Sequence, residues 1–137
     1  LLFGVRGALP VLLSLLIGVV WLGGLLGHLQ LKLNFMNFIA LPITLGIGID
    51  YAANIWARLR TEGHEAVQQI IADTGSAVAL CSATTMIGYG SLILARNRAL
   101  QSFGIVADLG EVTCLLAALV VLPVLSHLLL RSQKPRV

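Results

Sequence analysis

Gly46-Ile47-Gly48-Ile49-Asp50-Tyr51-Ala52-Ala53-Asn54 sits inside an apolar run that is interrupted by no other charge between about Asn34 and Ala57. A run of about 20 mostly apolar residues is what a helix needs to cross a hydrocarbon core of about 30 Å. A carboxylate at the centre of such a helix costs about 2.5–3.5 kcal/mol on insertion scales, and residues kept there usually face a protein interior and mark an ion or proton path. This stretch therefore predicts both a membrane-spanning helix and a reason for it to have neighbours.

Working outward, three further runs have the same length and character. The first spans about Gly7 to Gly27, the third about Thr74 to Ala95, and the fourth about Phe103 to Leu129, with Asp108 and Glu111 near its start. The 137 residues are 58% hydrophobic and only 11% charged, against about 25% charged in a soluble domain. The fold class expected is all-α, a polytopic membrane bundle of four helices, because an open strand leaves backbone groups unsatisfied in lipid. The chain begins Leu1-Leu2-Phe3 without Met, and its first span is too long for a signal-peptide core. It reads as part of a larger membrane protein.

Six of the nine basic residues, Arg6, Arg58, Arg60, Arg131, Lys134 and Arg136, fall on one side, and Lys32, Arg96 and Arg98 on the other. The positive-inside rule places the first set in the cytoplasm. The net charge of +3 thus reports topology, and no nucleic-acid partner is expected. Between the second and third spans, Val67, Ile70 and Ile71 share a helical face, which predicts a short amphipathic cytoplasmic helix over about residues 62–73. Cys81 and Cys114 read as small hydrophobes rather than a disulfide framework, and His28, His64 and His127 lack metal-ligand spacing.

Gly46, Ala53, Asn54 and Ala57 lie one or two turns from Asp50 on one helical stripe. Small stripes allow close helix approach in membranes, so Asp50 is expected to face a neighbouring helix. Gly46, Gly48 and Ala53, with Gly88 on the third span, are the expected packing residues. Pro42 is expected to kink the second span. Burial disfavours the charged carboxylate, while a donor or cation restores it. Asp50 is then either a proton relay, with Tyr51 beside it and Asn54 one turn on, or a structural carboxylate. Thr84 and Thr85 lie at similar depth on the third span and are either its partners or packing hydroxyls. Asp108 and Glu111 share a face. They either extend a proton path toward the outer side or sit in the headgroup region, and the second is expected. Enzyme readings are poorly supported: the Gly-x-Gly-Asp motif of intramembrane proteases is one residue too long here, the intramembrane serines lack a His in the same layer, and there is no phosphate loop.

Gly48-Ile49-Asp50-Tyr51, followed by Arg58-Leu59-Arg60-Thr61-Glu62-Gly63, resembles the fourth-helix motif of the RND superfamily, most closely its MMPL branch of lipid transporters. The segments Asn34 to Pro42, Ser82 to Leu92, Ser102-Phe103-Gly104 and Leu122-Pro123 resemble the start of that helix and the two that follow. The resemblance implies a twelve-helix transporter in two similar halves, each with a large extracytoplasmic domain. This chain would be the last four helices of one half, in a bacterial inner membrane. It implies an Asp-Tyr proton pair at Asp50 and Tyr51, facing a like pair in the other half, and export of lipids or other hydrophobic molecules with the proton gradient as energy source and no cofactor. Its partners would be membrane lipids, the remaining helices and domains of the transporter, and the hydrophobic substrate. It assigns no role to Asp108 or Glu111. A sterol-sensing-type lipid-binding module and an accessory subunit of the Sec translocon are the alternatives.

Overall fold

The computed structural model describes residues 5–31, 34–62 and 67–125. It contains α1 (Val5–His28), α2 (Phe35–Glu62), a one-turn α3 (Val67–Ile70), α4 (Ser76–Ile93) and α5 (Arg98–Leu116). π-helical turns at Ile71–Gly75 and Ala117–Val121 join α3 to α4 and extend α5. Four of the resulting helical stretches, Ala8–His28, Phe35–Glu62, Val67–Ile93 and Arg98–Leu125, are long and apolar enough to cross a membrane. The protein is therefore a helical, polytopic membrane protein.

Local signals explain the helix starts. The Asn34 side chain accepts from the Asn37 N–H at 2.9 Å, and the Asn97 side chain accepts from the Ala99 N–H at 2.9 Å with an extended backbone of its own. Both satisfy donors that a helix N-terminus leaves open. The Asn97 cap starts α5 five residues before the expected Phe103. Asp108 and Glu111 thereby lie about three turns and more inside the helix rather than near its start.

The expected amphipathic connector also changes. α2 runs on to Glu62, and the stretch from Val67 is continuous with the third span. Ile70 is fully buried, and the described part of the expected connector is helical and continuous with α4; residues 63–66 lie outside the described residues. The predicted kink at Pro42 does not end α2, which continues through it with the proline facing outward. The π-turn before Pro123 has a clear use. Proline clashes with the carbonyl four residues back, and the wider turn accommodates it. Here the Ala117 carbonyl accepts both the Leu122 N–H and, at 2.9 Å, the buried Ser14 hydroxyl of α1.

α5 packs on α1, α2 and α4. It does so through positions without room for a side chain. A Cβ on Gly110 would lie 2.6 Å from the Thr44 side chain of α2, and one on Gly104 would lie 2.7 Å from the Tyr89 carbonyl of α4. A Cβ on Gly48 would lie 2.9 Å from Cys114 Sγ. Thr44 thus meets Gly110 and Gly48 meets Cys114, so α2 and α5 run parallel. Of the expected packing residues, Gly48 packs as proposed and Ala53 is half-buried, but Gly46 and Gly88 have open space around them. Gly104 and Gly110 do that work instead.

Two apolar clusters hold the bundle. One gathers Tyr51, Ile55, Trp56, Leu59, Ile70 and Leu122, and the other Leu22, Leu26, Ala40, Val106 and Ala107. Between them lies a buried polar layer with Thr44, Ser82, Glu111 and Thr113. Adding a methyl group at Gly104 meets a backbone atom that cannot swing away, so Gly104→Ala should cost about 1–3 kcal/mol by overpacking. Gly88→Ala meets nothing and should be neutral or stabilising by up to about 1 kcal/mol through helix propensity. Thermal unfolding of both variants in detergent checks this; equal stability of the two would contradict the packing described.

Candidate functional site

α2 and α4 both lie on α5 but splay apart from each other along part of their length. The result is an open groove of about 860 Å³ lined by Asp50, Tyr51, Asn54 and Arg58 of α2, and by Asp73 of the π-turn and Cys81 and Thr85 of α4. Asp50 and Asn54 are exposed to it, while Tyr51 is only 4% accessible and forms part of its floor. At the Arg58 end the guanidinium is paired with Glu62 on the outer surface of α2.

Among the described residues, Asp50 is exposed at the groove rather than buried against another helix. The face of α2 that does pack carries Ala40, Thr44, Gly48, Tyr51, Ala52, Ile55 and Leu59. The Gly46-Asp50-Asn54-Ala57 stripe lies off that face and opens to the groove and the surroundings. The physical reason is that both faces of α2 carry small residues, and the larger apolar side chains Ile55, Trp56 and Leu59 decide which is buried.

Tyr51 turns the other way. Its ring reaches back toward the N-terminal end of α2, the direction in which helical side chains lean, and its hydroxyl donates to Glu111 Oε1 of α5. Glu111 is 1% accessible. Ser82, wholly buried on α4, lies near the Tyr51 hydroxyl, but its own hydroxyl has no hydrogen-bond partner among the described residues. Asp108, one turn before Glu111, points one oxygen at Gly90 of α4 and keeps the other buried with no hydrogen-bond partner among the described residues.

Of the residues singled out from the sequence, Asp50, Tyr51, Asn54 and Thr85 come together at the groove. Thr84 does not line it; its hydroxyl donates to the Cys81 carbonyl at 2.7 Å on its own helix, and Thr85 bonds the same carbonyl at 3.1 Å. Glu111 joins the site from below, through Tyr51. Ser82 and Cys81 are near the site but are not marked by the sequence pattern. The signal that places the residues of α5 is Asn97, an N-cap residue, which sets where the helix begins.

Four membrane-length helices with an ionisable cluster inside the bundle define a polytopic integral membrane protein with a polar site at mid-span. The chain belongs to the MMPL family, a branch of the RND superfamily, whose family profile matches residues 8–136. It is similar to a membrane protein, MJ1562, of Methanocaldococcus jannaschii, at 33% identity over 120 residues, which cover 83% of this chain and 31% of that relative. The chain thus spans under a third of that relative's length. No solved structure matches it.

The groove and the interior differ in access, and the two cysteines report on them. Cys81 is exposed at the groove and Cys114 is buried on α5. Because the thiolate is the reactive form and needs water around it, a charged maleimide should label Cys81 at least about tenfold faster than Cys114 in the intact full-length protein. Equal rates would contradict a groove that water enters.

Proposed function

We propose that this chain is part of a proton-driven transporter, with Asp50 and Tyr51 as the groove-side proton site, that exports lipids or other hydrophobic molecules across a bacterial inner membrane. The observation that carries the reading is the placement of Asp50: a carboxylate near the middle of a membrane-length helix, open to a groove, next to a tyrosine whose hydroxyl is bonded inward. A carboxylate that moves between a wet and a closed setting gains and loses a proton as its solvation changes. One proton moving through 100 mV releases about 2.3 kcal/mol, enough to bias a rocking motion of one helix bundle against another.

Membership in the MMPL family supports the transporter class. Export of lipid is the narrower part of the proposal. It rests on the family resemblance, which also implies that a second Asp-Tyr pair faces Asp50 and that large extracytoplasmic domains carry the substrate. The groove itself performs no bond-breaking chemistry in this scheme; its work is to load and release protons. The cytoplasmic side is assigned to the Arg58 end of the groove by the basic residues there.

Asp50→Asn keeps the size and hydrogen-bonding capacity of the side chain and removes its proton-carrying capacity. In the full-length protein reconstituted in vesicles, with dye-reported internal pH and export of a labelled phospholipid or other lipid cargo followed together, proton flux and export should both fall by about 100-fold, the scale of losing a proton-transfer group. Wild-type flux in Asp50→Asn would refute the proton-site reading. Loss of proton flux without any export of lipid in the wild type would leave the proton site and refute the lipid cargo.

A further inference from the structure

Among the described residues, Glu111 is the one buried carboxylate that the groove-side site does not use. It is 1% accessible and lies in the middle of Arg98–Leu125, a helical stretch long enough to span the membrane. No ion pair to it forms among the described residues. Its hydrogen-bond donor is the Tyr51 hydroxyl, which donates to Oε1. A single neutral donor is weak compensation for a charge held in such a place, since burying an ionised carboxylate without a cation is far more costly than burying a neutral acid. A residue that served only to accept the tyrosine hydrogen bond could be a glutamine, which carries no such cost.

We propose that Glu111 is a second proton-holding residue of this protein, loaded from the groove through the hydroxyl of Tyr51. The inference rests on the reading of Asp50 as the groove-side proton site and extends it into the bundle. Tyr51 bridges the two environments: it lies on the floor of the groove and is bonded to Glu111 behind it. The step is a proton exchange with no net change at tyrosine. The hydroxyl proton of Tyr51 passes to the Glu111 carboxylate, and a proton released by the Asp50 carboxyl and carried by groove water joins the Tyr51 oxygen. Asp50 becomes a carboxylate and Glu111 a neutral acid. The reverse sequence empties Glu111.

The groups around Glu111 suit a proton more than a fixed charge. The titratable groups near Glu111 are Tyr51 of α2, whose hydroxyl is bonded to it, Tyr89 of α4, and Asp108 and Cys114 one turn to either side on α5. Cys81 of α4 lines the same groove as Tyr51. None of these is a cation. Asp108, one turn toward the N-terminal end of α5, has an oxygen buried without a hydrogen-bond partner among the described residues. A protonated Glu111 therefore has a second acid beside it, on the side of the bundle away from the groove's Arg58 end.

The test uses the full-length protein in proteoliposomes with an imposed pH gradient and no cargo. Dye-reported proton flux should fall by about 100-fold in Glu111→Gln and return in large part in Glu111→Asp, which restores a carboxyl. A merely structural role is separated by difference infrared spectroscopy on a pH jump: the band of a protonated buried carboxyl should be lost in Glu111→Gln and move to higher frequency in Tyr51→Phe, which removes its hydrogen-bond donor. Wild-type flux in Glu111→Gln, with flux lost in Asp50→Asn, overturns this inference and leaves the proposed function standing. Wild-type flux in both variants overturns the proposed function and this inference with it. Should Glu111→Gln not assemble, the Tyr51→Phe spectrum carries the test: an unmoved carboxyl band overturns the assignment.

Discussion

The close approach of α5 to its neighbours is the constraint on which the rest of the structure depends. Helices in lipid gain little from hiding apolar surface from one another, so they associate where their backbones can come near. Gly110 lies against Thr44 and Gly104 against the Tyr89 backbone, with Gly48 of α2 against Cys114. These contacts fix how far α2 and α4 stand from α5. They also fix the height at which Glu111 meets Tyr51 and leave the groove between α2 and α4. The polar site is a consequence of where small residues allow the helices to touch.

That arrangement separates two kinds of place for a carboxylate. Asp50 is open to the groove, and Glu111 is sealed behind the tyrosine that stands next to Asp50 in sequence. Neighbouring positions on a helix point about 100° apart, so Asp50 and Tyr51 serve opposite sides of the same wall. An Asp-Tyr dipeptide on one helix can in this way join a wet surface to a dry interior without any movement of the backbone. The larger motions of a transporter would then act by changing what covers the groove.

Much of the architecture was legible in the sequence because hydrophobic length is a strong signal in a membrane protein. All four spans, the central position of Asp50 and the family resemblance could be read from it. The position of Asp108 and Glu111 along their helix could not, because hydropathy starts the fourth span at Phe103, whereas the Asn97 cap and the polar but helical residues Arg98 and Gln101 begin the helix earlier. The face of α2 that packs inside this chain was not legible either. Gly46 and Gly48 look alike in a pattern of small residues, and the choice between them is made by Ile55, Trp56 and Leu59, which are buried on the Gly48 side. Tertiary burial of large side chains overrode the small-residue stripe. The link between Tyr51 and Glu111 joins residues 60 apart in the chain, and no local pattern announces it.

The central claim is that protons move into and out of the middle of this bundle. The most direct measurement is electrical: full-length wild-type protein on a solid-supported membrane, given a rapid pH step with no cargo present. The account predicts a transient current from charge displaced within the protein, saturating with the size of the step and absent from protein-free membranes. A pH step that displaces no charge in correctly folded wild-type protein would contradict it.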